Sequence, residues 1–202
     1  MIFAGNLSQA NLASGDWVFV DIGFASAAKS CGFLVGSDQP EDITFSELKA
    51  KLLGIVRASN NPLNLLIEAP LSVSFNDSGN PTGRSVEKRG ADTRYWYVSP
   101  GCSVLVAATY LLRSIQDTKP KRDIRLFEGL ASFKPKGVKI KGSEDVKILR
   151  GIIEAHSMVR TGNSKGEIVD PRKLQVKPED VLSSAFLVAG MDFGIPPVVV
   201  VT

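Results

Sequence analysis

Residues 17–36 read Trp-Val-Phe-Val-Asp-Ile-Gly-Phe-Ala-Ser-Ala-Ala-Lys-Ser-Cys-Gly-Phe-Leu-Val-Gly. Two apolar runs, Trp17 to Ile22 and Cys31 to Val35, flank a turn of small residues. β-Branched and aromatic residues dominate the first run, so the stretch predicts a β-hairpin. Asp21 interrupts that run and Gly23 follows it. Carboxylates are depleted in strands and costly to bury without a partner. Asp21 is therefore either paired or used, or it is the last residue of its strand and turns into water. Gly23 admits a ligand or another backbone at close range.

The rest of the chain supplies a setting for this hairpin. Its 202 residues suffice for one domain with a single core, and 44% hydrophobic with 22% charged residues is an ordinary globular composition. A net charge of +3 and a pI near 8.9 are compatible with a polyanionic partner without requiring one. Cys31 and Cys102 sit in no metal-type cluster and read as buried small hydrophobes of a reducing compartment. The first residues lack a basic segment followed by a long apolar one, and no apolar run has the length of a membrane span. The expectation is a cytoplasmic protein with no membrane partner.

Outward from the hairpin, residues 1–15 show little periodicity and predict a loosely docked arm. A short strand is expected near Ile43. Thr44 and Glu47 form a capping-box pattern, followed by apolar residues at helical spacing from Leu48 to Val56. The run Leu63 to Val73 predicts a strand covered on both faces, with Glu68 near its end and Pro70 stopping the ladder. Residues 74–99 form a long segment with turn signals, expected to be a flap. It carries Arg84, Lys88, Arg89 and Arg94, then Tyr95, Trp96 and Tyr97. Cations beside aromatics suit phosphate contacts and base stacking, while the plainer reading is a solvated loop whose aromatics fold back on the core. Further on, helices are predicted over 100–114 and from Ser143, with a strand at Ile124 to Phe127 ending in Glu128. Lys134, Lys136, Lys139 and Lys141 predict a solvated edge, and residues 160–177 a polar connection. Pro178-Glu179-Asp180 opens what reads as a buried helix through Met191. Val198 to Val201 reads as a late edge strand. His156, the only histidine, reads as a helix-end residue.

Three acids thus stand where core elements end or begin: Asp21, Glu68 and Asp180. Clustered carboxylates repel one another unless a cation lies between them. An all-oxygen ligand set favours Mg²⁺ or Mn²⁺, and two such ions would serve a phosphodiester displacement. No phosphate-binding Gly-x-x-x-x-Gly-Lys-Ser/Thr loop and no Gly-x-Ser-x-Gly elbow occurs.

An Asp-x-Gly strand opening a hairpin, an acid ending the strand after the first helix and an acid in a late apolar helix resemble the ribonuclease-H-like superfamily, whose Holliday-junction resolvases share this plan. The stretches Ile67-Glu68-Ala69-Pro70-Leu71, Gly83-Arg84 with Glu87 and Arg89, Glu128, and Glu179-Asp180-Val181-Leu182-Ser183-Ser184-Ala185 resemble a family of predicted nucleases carried as a domain of unknown function. The resemblance implies an α/β three-layer fold over residues 1–202, with a central mixed sheet flanked by helices. It implies a metal-dependent nuclease with Asp21, Glu68 and Asp180 as catalytic metal ligands. Glu87 and Glu128 would be further acids, with Glu128 a candidate ligand, and Arg84 and Arg89 would face the substrate. Lys88, Arg94 and Trp96 join that substrate-binding set from the flap. Nucleic acid is the implied partner, and a homo-oligomer is compatible with it. Two alternatives share the strand plan: a catalytically inactive ribonuclease-H-like binding module, and an actin- or sugar-kinase-like phosphotransfer domain. The latter normally needs a second such domain.

Overall fold

Alternating apolar faces in the sequence fix which side of a strand meets which helix. A computed structural model describes residues 1–23, 28–98, 100–131, 133, 141–157 and 166–201. The principal strands are, in chain order, β1 (Ile2–Ala4), β2 (Asp16–Asp21), β3 (Cys31–Val35), β4 (Glu41–Ile43), β5 (Leu63–Glu68), β6 (Ser72–Phe75), β7 (Pro81–Thr82), β8 (Lys88–Arg89), β9 (Asp92–Thr93), β10 (Ile124–Leu130), β11 (Gly166–Val169), β12 (Val181–Ser184) and β13 (Val198–Val201). The helices are α1 (Phe45–Ala58), α2 (Pro100–Asp117) and α3 (Gly142–Ser157).

The central sheet runs β11-β13-β10-β5-β2-β3-β4. β2, β3 and β4 form an antiparallel meander, whereas β5 and β10 run parallel to β2. The sheet is therefore mixed, as expected. In β5 the unbroken Leu65-Leu66-Ile67 run is explained by cover on both faces. Leu65 and Ile67 pack with Leu48, Leu52 and Val56 of α1 and with Leu111 and Leu112 of α2. Leu66 turns to the other face, among Trp17, Phe19, Phe127 and Leu149 of α3. Each such fully buried side chain contributes about 1.5–3 kcal/mol relative to exposure. Helix α1 starts at the expected capping box, in which Thr44 Oγ1 accepts from Glu47 N and Thr44 N donates to the Glu47 carboxylate.

Several expectations are corrected. The opening residues are not a loose arm: β1 pairs parallel with the first half of β10, and β13 pairs with the second half of the same edge. Ala10 is fully buried, and the Trp17 indole donates to Asn11 O at 2.9 Å. β13 is not an edge strand, because β11, drawn from the supposed polar connection, pairs on its outer side. Cys31 is buried as expected, but Cys102 is exposed.

The largest correction concerns residues 178–191. They form no long helix. Val181–Ser184 are extended and pair antiparallel with β6, and only Leu187–Ala189 make a short 3-10 turn. β-Branched Val181 and adjacent Ser183 and Ser184 are weak helix formers. The segment is not buried all round either, since Val188 is 94% exposed. The expected flap is likewise a built element, with hairpins β6-β7 and β8-β9 joined by a 3-10 turn at Ser85–Glu87. Lys134, Lys136 and Lys139 lie outside the described residues.

Helix α3 sits on the sheet through a contact that only glycine permits. A Cβ on Gly32 of β3 would lie 2.1 Å from Gly142 O, and one on Gly142 would lie 2.5 Å from Gly32 N. Gly32→Ala is therefore expected to destabilise the protein by about 1–3 kcal/mol or more. Gly54, exposed in α1 with open space around its missing side chain, gives the opposite result: Gly54→Ala should stabilise by about 0.5–1 kcal/mol. Paired denaturant melts of the two variants check this contrast.

Candidate metal centre

β2 and β5 lie side by side and parallel, with Asp21 opposite Glu68 at their C-terminal ends. Ligands in open α/β sheets bind outside the carboxyl ends of parallel strands. Gly23 follows Asp21 because a Cβ there would meet Ser30 O at 2.0 Å. The close partner that glycine admits is thus the returning strand of the hairpin itself.

The third acid of the site is Asp145, in the first turn of α3. One carboxylate oxygen from each of Asp21, Glu68 and Asp145 lies within 4.8 Å of the others. Oxygens on opposite sides of a cation with bonds of about 2.0–2.6 Å stand about 4–5 Å apart, so the trio has the span of one ligand shell. Asp145 is buried, and Asp21 and Glu68 are half-buried. Glu68 Oε1 also accepts from Ala131 N at 3.1 Å, which fixes its rotamer. These three acids can hold a metal ion.

The position of Asp145 follows from the seating of α3. The Gly32–Gly142 contact brings the helix start onto β3, and a Cβ on Gly142 would lie 2.7 Å from Asp21 Oδ2. Asp42 of β4 clamps the same end, accepting from Ser143 N and Ser143 Oγ at 2.9 Å each. The positive end of the α3 dipole thereby adjoins the acids and offsets part of their repulsion. Beside them, burial pushes the Cys31 thiol up and the charge of Asp21 adds to it, so Cys31 is an inert core residue.

Asp180 is not part of this group. It lies 3% exposed just before β12, where its Oδ2 accepts from Lys177 N at 3.0 Å and its backbone carbonyl accepts from Gln175 Nε2. Its carboxylate closes a turn, which is why the sequence placed an acid there. Asp145 shares the first turn of α3 with Glu144, the ordinary place for acids near a helix start, so nothing local marks it as a ligand.

Arg84 does not face a substrate. It is 1% exposed and lies between Glu87 and Glu128, both 1% exposed. Its Nη2 is 2.8 Å from Glu87 Oε1 and 2.7 Å from Glu128 Oε1, and its Nη1 donates to Glu128 Oε2 and to Ser72 Oγ. Glu128 Oε2 also accepts from Leu71 N. Both Glu128 oxygens are thus engaged within the protein, so its role is to anchor the 84–96 segment to β10 rather than to extend the acid trio. Trp96 belongs to the same anchor. Its backbone N–H donates to Glu87 Oε1, and its indole donates to Thr82 O.

One buried guanidinium is shared by two buried carboxyl groups. Burial pulls the Arg84 pKa down, but Glu128 and Glu87 more than offset it and hold the guanidinium above its ordinary value. Burial raises Glu87, which the bonds from Arg84 only partly counter.

A cleft of about 630 Å³ opens between Asp21 and Glu68 of the trio and this cluster. Asp21, Glu68, Arg84, Glu87, Arg94 and Glu128 line its polar side, and Ile22, Tyr95, Val98 and Val104 contribute to its apolar side. Arg94 is exposed at the cleft, whereas Lys88 and Arg89 are exposed on the other side of the 3-10 turn.

The Arg84 cluster gives a pH signature. A carboxyl whose pKa is higher folded than unfolded binds more protons in the native state, so its contribution is present below the unfolded value and is lost as pH rises through the folded one. Arg84→Met should cost about 3–5 kcal/mol at neutral pH by leaving two carboxylates without their cation. It should also make stability rise as pH falls from 8 to 5, more steeply than in the parent. Urea melts across that range read both effects.

Compared with known proteins, this chain matches no family model, no curated protein and no solved structure, so the reading of the site rests on its residues and their geometry.

Proposed function

We propose that the chain is a metal-dependent nuclease of the ribonuclease-H-like plan. The observation that carries this reading is the convergence of Asp21, Glu68 and Asp145 within 4.8 Å at one end of the sheet. The strand order supports it as well: an antiparallel β2-β3-β4 meander continues into β5 and β10, both parallel to β2. The donor set is all carboxylate, which suits Mg²⁺ or Mn²⁺ over softer ions.

Asp21, on an interior strand, is the ligand best supported by rigid structure, and it would hold the metal together with Glu68 and Asp145. A metal held there would supply charge stabilisation to a phosphodiester undergoing displacement. Arg94, exposed at the cleft, would hold a non-reacting phosphate. The Arg84–Glu87–Glu128 cluster keeps the facing wall fixed, so that the cleft does not collapse when the substrate strand enters. The reading as an inactive binding module keeps the same cleft without turnover and is what remains if no cleavage is found.

Asp145→Asn preserves shape and removes a charge. It should abolish Mg²⁺-dependent cleavage while leaving the metal-free fold as stable or more stable, because repulsion among the acids falls. Asp180→Asn should leave cleavage essentially unchanged. Assays use single-stranded, duplex and branched DNA and RNA with Mg²⁺, Mn²⁺ or chelator. With the ion at about a hundred times its Kd, the parent should gain about 2.7 kcal/mol of stability, a gain Asp145→Asn loses. A parent that cleaves none of these substrates and melts at the same temperature with and without both ions would overturn the enzyme reading.

A further inference from the structure

A second groove, of about 740 Å³, runs along the other side of the Ser85–Glu87 turn. The turn is a partition: Arg84 and Glu87 line the acid cleft, while Ser85, Val86, Lys88 and Arg89 line the groove. The groove floor is apolar, with Phe133, Ile168 and Val200. Its rim carries Lys88, Arg89, Arg172 and Lys173, and its acids are Glu167 and Asp170. Arg172 is held by Asp170 at 2.7 Å, whereas Lys88, Arg89 and Lys173 are exposed and enter no ion pair among the described residues. The two clefts adjoin where the Arg94 guanidinium, which lines the acid cleft, lies 5.6 Å over the ring of Phe133, which lines the groove.

From this arrangement we infer that the groove is the track for a single nucleic acid strand leading into the acid cleft. The inference deepens the nuclease reading and rests on it for what lies at the end of the track. A single strand presents phosphates and base faces together, and the groove offers exposed cations over an apolar, aromatic floor, the combination that binds single strands with little sequence preference. A duplex hides its base faces and would leave that floor in water. Phe133 is then a stacking platform, and the cation already over its ring places Arg94 beside the next phosphate. Lys88, Arg89 and Lys173 follow the backbone.

The experiment is fluorescence anisotropy of labelled oligo(dT), oligo(rU) and a duplex of matched length, in chelator, across a salt series. The full chain is compared with a Lys88→Ala/Arg89→Ala variant, with Phe133→Leu, and with a charge-matched control on the opposite layer, Lys49→Ala/Arg57→Ala in α1. The expected result is tighter binding of the single strands than of the duplex. The Lys88/Arg89 variant should bind about tenfold more weakly, with a log–log salt slope shallower by about 1.4, as for two lost single-strand phosphate contacts. Phe133→Leu should weaken single-strand binding without changing that slope, and the α1 control should bind like the parent, all at unchanged Tm. Equal binding by the groove and α1 variants, or no binding of single strands by the parent at low salt, overturns the track. If groove variants lose binding while the parent never cleaves, the track stands and the nuclease reading falls. If the parent cleaves and groove variants bind and cleave as it does, the reverse holds.

Discussion

The contact between Gly32 and Gly142 is the constraint on which the site depends. With no side chain on either residue, the start of α3 can touch the backbone of β3. Any larger residue would lift the helix by the width of a methyl group and carry Asp145 away from Asp21. The chain has therefore placed its two least specific residues at the point where placement must be tightest. Asp42 holds the helix end from one side, and the apolar ridge Val146, Leu149 and Ile153 holds it from beneath. What looks like an acidic cluster is thus a product of backbone packing, with the carboxylates carried to one point by elements that are themselves rigid.

A second organising feature is the buried guanidinium of Arg84. Surface ion pairs contribute little, but a buried one carries a heavy desolvation cost unless every donor finds an acceptor. Here the donors are met by two carboxylates and a hydroxyl, and those carboxylates in turn accept from the backbone N–H groups of Leu71, Ser72, Arg84 and Trp96. The consequence is geometric: β6, the 84–96 segment and β10 cannot move independently of one another. One layer of the cleft is set by helix packing against the sheet, and the other by this electrostatic knot.

Much of the architecture was legible in the sequence because it follows from periodicity. The hairpin of β2 and β3, the capping box of α1 and the two-faced run in β5 each carry a local signal that the tertiary structure does not override. Asp21 and Glu68 were identifiable because an acid ending an apolar strand violates the burial pattern around it. Asp145 was not, because an acid in the first turn of a helix has an ordinary explanation in the helix dipole, and nothing local separates a ligand from a capping charge. Asp180 misled for the converse reason. It followed a proline and preceded an apolar run, yet that run is a strand paired with β6, a long-range partnership no local pattern announces. Arg84 reads as a substrate-facing cation because cations in turn-rich segments are usually exposed, whereas its burial depends on Glu128, 44 residues away in sequence.

The sharing of β10 by β1 and β13 bears on how the chain assembles. β1 is made first but pairs with residues about 120 positions later, so on the ribosome it waits on the order of ten seconds for its partner. In the second half of that interval Asp21 and Glu68 can already be aligned by β2 and β5, while Asp145 has yet to be synthesised. The sheet closes and the acid trio is completed late, in the same stretch of synthesis, which couples acquisition of the site to completion of the fold.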